Sequence, residues 1–397
     1  MTRPPRPPTG RSHRAPYRHF HRIAWLAVAL AFGVIVFGAF VRLSNAGLSC
    51  PDWPTCYGRA AWPKAAADAA DHAATAIRPV VPHKAWREQV HRHLAATLGL
   101  LVFVLALLAA RQRRLGIPWI VASAVLIAAG IPLYMRGAHA PAVALAALGE
   151  GMLLAAAACW ARRAPAGSAG EPGLAVVATL TLMVIVFQAL LGMWTVTWLL
   201  KPIVVMGHLL GGLLTFCLLA WIAWRATGVP IRLAEAGPMR RWIVLVMALL
   251  AVQIALGGWT SANYAALACG NDFPRCVGQW WPRHDFHEAF VLWRGIGVDY
   301  EGGVLDGEAR IAIQLAHRLM AVAAFAALVA FSVRLWRTAG MRGWAALLAL
   351  LACAQVGLGI ANVKLSLPLP VAVLHNAGAA ALLFVLVTLL ARVRGPE

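Results

Sequence analysis

Four of the 13 histidines, His91, His208, His317 and His375, fall near the starts of long apolar stretches and in repeated settings. EQVHRHLAATLG around His91 answers AIQLAHRLMAV around His317, and GHLLGG at His208 answers LHNAGAA at His375. Ionisable side chains inside apolar spans are rare and ordinarily functional. One such histidine is often a packed or hydrogen-bonded core residue, but four at repeat-related positions fit packing poorly. Two imidazoles from different helices of one bundle suit the two axial positions of a haem. Zinc or copper would call for added thiols or carboxylates. The repeat pairs His91 with His208 and His317 with His375. Gly99, Gly207, Gly211, Gly212, Ala316 and Gly378 leave room for a large flat ligand or a close helix. His93 lies roughly 200° round the helix from His91 and cannot share its site.

The halves differ at one chemically loaded place. Glu88 stands three residues before His91, on the same helical face, where Gln314 stands before His317. A carboxylate beside one site and a neutral amide beside the other points to one reactive site and one electron-carrying site. A buried Glu can serve as acid, base or electrostatic stabiliser; the plainer alternative is a solvated loop-end Glu paired with Arg87 or Arg92. Two close cysteine pairs, Cys50/Cys56 and Cys269/Cys276, sit before the His91 and His317 stretches. On an outer membrane face each pair is expected to form a local disulfide, with metal binding or redox work as alternatives. Cys159, Cys217 and Cys353 read as apolar packing residues.

These side chains need a scaffold, and composition defines it. The 397 residues are 61% hydrophobic and 13% charged, where a soluble domain carries about 25% charged residues. That excludes an ordinary soluble enzyme, a disordered chain and a small disulfide scaffold. Ten apolar stretches can be read, at 23–41, 92–110, 117–135, 140–160, 174–198, 203–224, 242–262, 311–333, 343–362 and 370–391, each near the roughly 20 residues a membrane helix needs. The expected fold is all-α and polytopic, two pseudo-symmetric four-helix bundles with an inserted hairpin. A basic leader, 1–22, precedes an N-terminal half at 23–224, which contains the hairpin at 115–163. A linker at 225–241 leads to a C-terminal half at 242–392. Both halves start on one side, a parallel repeat about an axis along the membrane normal. Glu150, in the hairpin, is expected to face the bundle interior with a partner unidentified.

The formal net charge is +20. With the N-terminus cytoplasmic, twenty basic residues fall on inside segments, while each short outer loop carries one (Arg136, Lys201 and Lys364). This is the positive-inside pattern, so the basicity records topology and contact with anionic headgroups and not a nucleic-acid surface. Both termini are expected in the cytoplasm, with the first span retained as an anchor.

The motifs RLSNAGLSCPDWPTCYG, EQVHRHLAATLG, QALLGMWTV with GHLLGG, LGGWTSANYAALACGNDFPRC with WWP, AHR and LHNAGAA resemble the haem A synthase family in order, sidedness and spacing. The resemblance covers nearly the whole chain except the leader and the 115–163 hairpin. It implies an eight-helix core whose N-terminal half holds haem O as substrate, through His91 and His208. The C-terminal half would hold a resident haem b through His317 and His375. It further implies Glu88 as the catalytic carboxylate, and Cys50/Cys56 and Cys269/Cys276 as the loop pairs. The implied reaction converts the C8 methyl of haem O to the formyl group of haem A through hydroxylated intermediates, with electrons passed through the haem b. Haem O synthase, cytochrome oxidase assembly factors and an unidentified electron donor are the implied partners, within a lipid bilayer; a homo-oligomer stays open. The expected location is a bacterial inner membrane, with the mitochondrial inner membrane as alternative. Two other functions stay in view: a di-haem electron carrier without turnover, and a haem transporter built from repeats.

Overall fold

The computed structural model describes residues 19–72, 78–162 and 173–396; the leader over 1–18 and Arg163 lie outside them. The described chain is helical apart from loops and one pair of two-residue strands. The helices are α1 (Phe20–Leu43), α2 (Pro82–Ala110), α3 (Gly116–Met135), α4 (His139–Arg162), α5 (Leu174–Thr197) and α6 (Pro202–Thr227). They continue with α7 (Ala236–Ala262), the short α8 (Phe286–Ala289), α9 (Gly307–Trp336), α10 (Arg342–Lys364) and α11 (Leu369–Arg392). All but α8 are long and apolar enough to cross a membrane, since 20 residues span about 30 Å. The bundle exterior is apolar as well: Leu26, Leu100, Val322 and Leu350 are each more than half exposed, as suits a protein solvated by lipid. Cys159 and Cys353 also lie on that exterior, so they are not the interior packing residues the sequence suggests.

The ten expected spans are present, but several begin earlier. α2 starts at Pro82 and not near 92, α7 at Ala236 and α9 at Gly307. Their first turns hold Pro, Gly or charged residues (Pro82 to Lys84, Gly237 and Pro238, Gly307 and Glu308), which lower the local hydropathy but are tolerated at a helix start. Local signals set the ends. Pro82 and Pro202 stand in the first turn of α2 and α6, where a missing N–H costs nothing. The Asp306 carboxylate accepts the Ala309 N–H at the start of α9, and Gly228 closes α6 at φ +71°.

The repeat is visible in the packing. α1, α2, α5 and α6 form a closed ring of neighbours, and α7, α9, α10 and α11 form the same ring in the same order. The halves meet through α1, α6, α7 and α11. Hydrogen bonds bind that seam: Trp224 Nε1 donates to Thr388 Oγ1 at 2.8 Å, and Arg42 donates to the Ser261 carbonyl at 2.7 Å and the Tyr264 hydroxyl at 3.1 Å. Unusual backbone recurs too. Asn45 and Tyr264, then Tyr57 and Val277, then Leu199–Leu200 and Ser366–Leu367, all adopt left-handed conformations at matching places. Non-glycine residues seldom do so, so each pair marks one turn built twice.

The hairpin α3–α4 stands outside both rings, with α4 against α5 and α3 against α2. At the end remote from the disulfide loops, Ile231–Arg232 pairs in parallel with Val393–Arg394, tying the linker to the C-terminus.

Candidate functional site

His91 and His317 lie deeper in their helices than the apolar boundaries suggest, while α6 and α11 start within one residue of the expected places. His91 is nine residues beyond the start of α2, His317 ten beyond that of α9, and His208 and His375 six beyond the starts of α6 and α11. At about 1.5 Å per residue these are depths of about two to three helical turns. All four rings line one cavity of about 2070 Å³ that runs through both halves. His91 and His208 stand on the cavity-lining helices of the first ring, and His317 and His375 on those of the second. The structure therefore brings together the two pairs that the repeat predicts.

Each ring is seated against a glycine of the neighbouring helix. A Cβ on Gly38 would stand 2.8 Å from His91 Cε1, and one on Gly192 3.2 Å from His208 Cε1. The corresponding values for Gly257 with His317 and Gly359 with His375 are 3.1 and 3.2 Å. Any side chain there would push the ring aside, so these glycines are cradles. None was singled out from the sequence, although GAF, LGM, LGG and LGI recur at matching places.

A second missed pair is Gln188 and Gln355, in the QALLG and QVGLG segments. Gln188 Nε2 donates to the His208 carbonyl at 3.1 Å, and Gln355 Nε2 to the His375 carbonyl at 2.9 Å. The two amides fill the space that a Cβ at Gly211 or Gly378 would need. A buried amide with a backbone partner fixes one helix against another, here α5 to α6 and α10 to α11 at the level of the histidines.

Glu88 is not solvated. It is 4% exposed, and both of its oxygens are engaged. Oε2 accepts the backbone N–H groups of Ser49 at 2.7 Å and Cys50 at 2.9 Å, while Oε1 takes Arg92 Nη2 at 2.6 Å. Arg92 spends its other donors on the carbonyls of Cys50, Asp52 and Thr55. One carboxylate thus joins the cavity wall to the disulfide loop. Arg87, the other predicted partner, instead stacks its guanidinium on Phe40. In the second half Arg318 makes the same kind of contacts, to the carbonyls of Asp272 and Arg275, but Gln314 leaves its buried Oε1 without a hydrogen-bond partner among the described residues.

Both predicted cysteine pairs are bonded, Cys50 to Cys56 and Cys269 to Cys276, which leaves no thiolate there for a metal. Each loop carries an aspartate in the same role. Asp52 accepts from the Thr55 hydroxyl and from the N–H groups of Tyr57 and Gly58, and Asp272 accepts from Gly278 N–H. Burial pushes the Asp52 carboxyl up, but these hydrogen bonds outweigh it and hold the group below the ordinary carboxylate range. The loops also meet: Arg78 of the first pairs with Asp299 and Glu301 of the second.

The hairpin forms one wall of the cavity. Ala142, Ala146 and Glu150 of α4 and Ala128 and Tyr134 of α3 line it. Glu150 faces this interior as expected, and its buried Oε1 has no hydrogen-bond partner among the described residues. Beyond the cavity, Lys201 is fully buried with its Nζ 3.3 Å from the centre of the Trp293 ring, a cation–π seat in place of an ion pair.

The donor set fits haem. Nδ1 of His91, His208 and His375 is buried without a hydrogen-bond partner among the described residues. No group of three or more His, Cys, Asp or Glu among them could hold a metal by itself. Paired imidazoles lining an apolar, glycine-cradled cavity suit a flat ligand that brings its own four equatorial donors.

Fold and site define a multi-pass helical membrane protein with two repeat-related histidine pairs in one internal cavity. A family model described as cytochrome oxidase assembly protein (COX15-CtaA) matches residues 21–133 and 144–387. The chain is 35% identical to the haem A synthase of Shewanella oneidensis over 379 residues, covering 93% of this chain and 96% of that one. It is 31% identical to the haem A synthase of Caulobacter vibrioides over 222 residues, 53% of this chain and 60% of that one. It is 36% identical to that of Methylorubrum extorquens over 171 residues, 42% of each. The chain belongs to the haem A synthase family. The matched residues include most of α3 and α4, so the hairpin departs from the internal repeat more than from the family.

Proposed function

We propose that this protein is a haem A synthase, an oxidoreductase that converts the C8 methyl of haem O to a formyl group through hydroxylated intermediates. In this reading His91 and His208 hold haem O in the N-terminal half, and His317 and His375 hold a resident haem b in the C-terminal half. The observation that carries it is the difference between two otherwise matching sites. Glu88, charged and anchored by Arg92 and two backbone N–H groups, stands where the second half has Gln314. A pure carrier built from a repeat has no use for that asymmetry.

A haem b held between His317 and His375 would supply one-electron redox chemistry. The protein's own part is positional. The histidines fix the plane of the substrate macrocycle between α2 and α6, and the glycine cradles set how near the rings approach. Glu88 adds a fixed negative charge at the cavity wall, placed to stabilise positive charge developing on the substrate carbon or to accept its proton. The apolar cavity lining excludes water from reactive intermediates. The protein lies in a bacterial inner membrane with the arginine-rich end of the bundle cytoplasmic and the disulfide loops on the oxidising side.

Expression in a host that makes haem O but no haem A tests this. Extracted haems should include hydroxylated and formylated products by mass. Haem O and haem b alone, with active redox partners present, would instead make the protein a carrier or transporter.

A further inference from the structure

The two histidines that open the sites, His91 on α2 and His317 on α9, occupy matching positions and rest on matching glycines, Gly38 and Gly257. They differ in what meets Nδ1. His317 Nδ1 lies 3.2 Å from Nε2 of Gln253, one turn before Gly257 on α7. The residue one turn before Gly38 on α1 is Val34, which has nothing to offer, and His91 Nδ1 is buried without a hydrogen-bond partner among the described residues. The wall beside His91 is apolar in another way too: Phe37 stacks near its ring at 6.5 Å, and the matching residue in α7 is Leu256.

A half-turn of the Gln253 amide selects the tautomer an axial ligand needs. Its Oε1 is buried and unpartnered among the described residues as placed, and the two ends of an amide are interchangeable by a half-turn. With the oxygen turned to the ring, it accepts Nδ1–H. The remaining lone pair of His317 then sits on Nε2, where an axial ligand needs it. A ligand imidazole whose Nδ1–H is held by an acceptor is fixed in orientation and is a stronger donor. A stronger axial donor favours the oxidised state of the iron.

We propose that Gln253 is a positioning residue that orients His317 and lowers the reduction potential of the haem in the C-terminal half, while Val34 withholds that effect from His91. This rests on the assignment of His317 and His375 as the axial pair of a resident haem. Gln253 thereby makes the haem beside the neutral Gln314 a better electron donor than it would be without that acceptor, while the half with Glu88 holds the group to be oxidised. The asymmetry between the halves is then written twice, once at Glu88/Gln314 and once at Val34/Gln253.

The test is a spectroelectrochemical titration of purified full-length protein, with haem content measured alongside. Gln253→Val, which installs the first half's residue type, should keep the low-spin haem and shift its oxidised-to-reduced equilibrium about tenfold toward the reduced state, a rise of about 59 mV for one electron. Gln253→Glu, which offers a charged acceptor, should move it the other way. An unchanged potential in Gln253→Val with full haem content overturns the proposal. If Gln253→Val sheds its haem, Gln253→Glu decides: a potential equal to or above the parent's overturns it. A parent protein with no low-spin haem would defeat the site assignment itself, a different outcome from a haem whose potential ignores residue 253.

Discussion

At the scale of single residues, Glu88 has two tasks that substitution can separate. It holds Ser49, Cys50 and Arg92 in place, and it supplies the negative charge that Gln314 lacks. Removing one member of a buried ion pair costs about 3–5 kcal/mol, so Glu88→Ala should lower thermal stability strongly and loosen the first disulfide loop. Glu88→Gln keeps an acceptor oxygen and should stay folded and haem-loaded while losing product formation, as read by melting temperature and haem mass. Loss of haem from Glu88→Gln would make the residue structural. Asp52 gives a pH signature of its own. Its carboxyl titrates below the ordinary value of about 3.9 when folded, so its stabilisation is present above that value and is lost as pH falls through the folded pKa. Hydrogen exchange at Tyr57 and Gly58 should show protection that holds from pH 7 to about 4 and then collapses. Asp52→Asn should weaken it throughout that range and remove the acid collapse, and loss of protection in the parent already near pH 6 would contradict the assignment.

Helices and loops tell how much could be read in advance. The ten spans, the repeat, the loop disulfides and the histidine pairs were legible because hydropathy runs, cysteine spacing and paired motifs are properties of the sequence itself. The starts of α2, α7 and α9 are not legible from hydropathy, because charged, Gly and Pro residues in their first two turns break the apolar run. The engagement of Glu88 by Ser49 N–H and Cys50 N–H spans 39 and 38 residues, so only the fold could show it. The cradles of Gly38, Gly192, Gly257 and Gly359 were hidden for another reason: glycine is common in membrane helices, and nothing local says which one faces a ring. They now give a prediction for the helix pairs. Gly38→Ala places a methyl group 2.8 Å from His91 Cε1, within the space that ring atoms occupy. It should displace α1 from α2 and cut haem O retention at least tenfold in the N-terminal half, leaving the C-terminal haem untouched. Retention equal to the parent's would show that the ring has slack.

In the whole molecule, two copies of one four-helix unit are proposed to divide the labour, one holding the group to be oxidised and one the resident haem. Seam contacts such as Trp224–Thr388 and Arg42–Ser261 hold the copies together around a shared cavity, and the differences between them lie at Glu88/Gln314 and Val34/Gln253. The most direct measurement is the haem content and absorption spectrum of two double variants, purified after expression with haem O available. His317→Ala/His375→Ala should lose haem b and its low-spin spectrum while still binding haem O. His91→Ala/His208→Ala should keep haem b and lose both bound haem O and its oxidised products. Haem b persisting in His317→Ala/His375→Ala, or oxidised products persisting in His91→Ala/His208→Ala, would contradict the assignment of the halves.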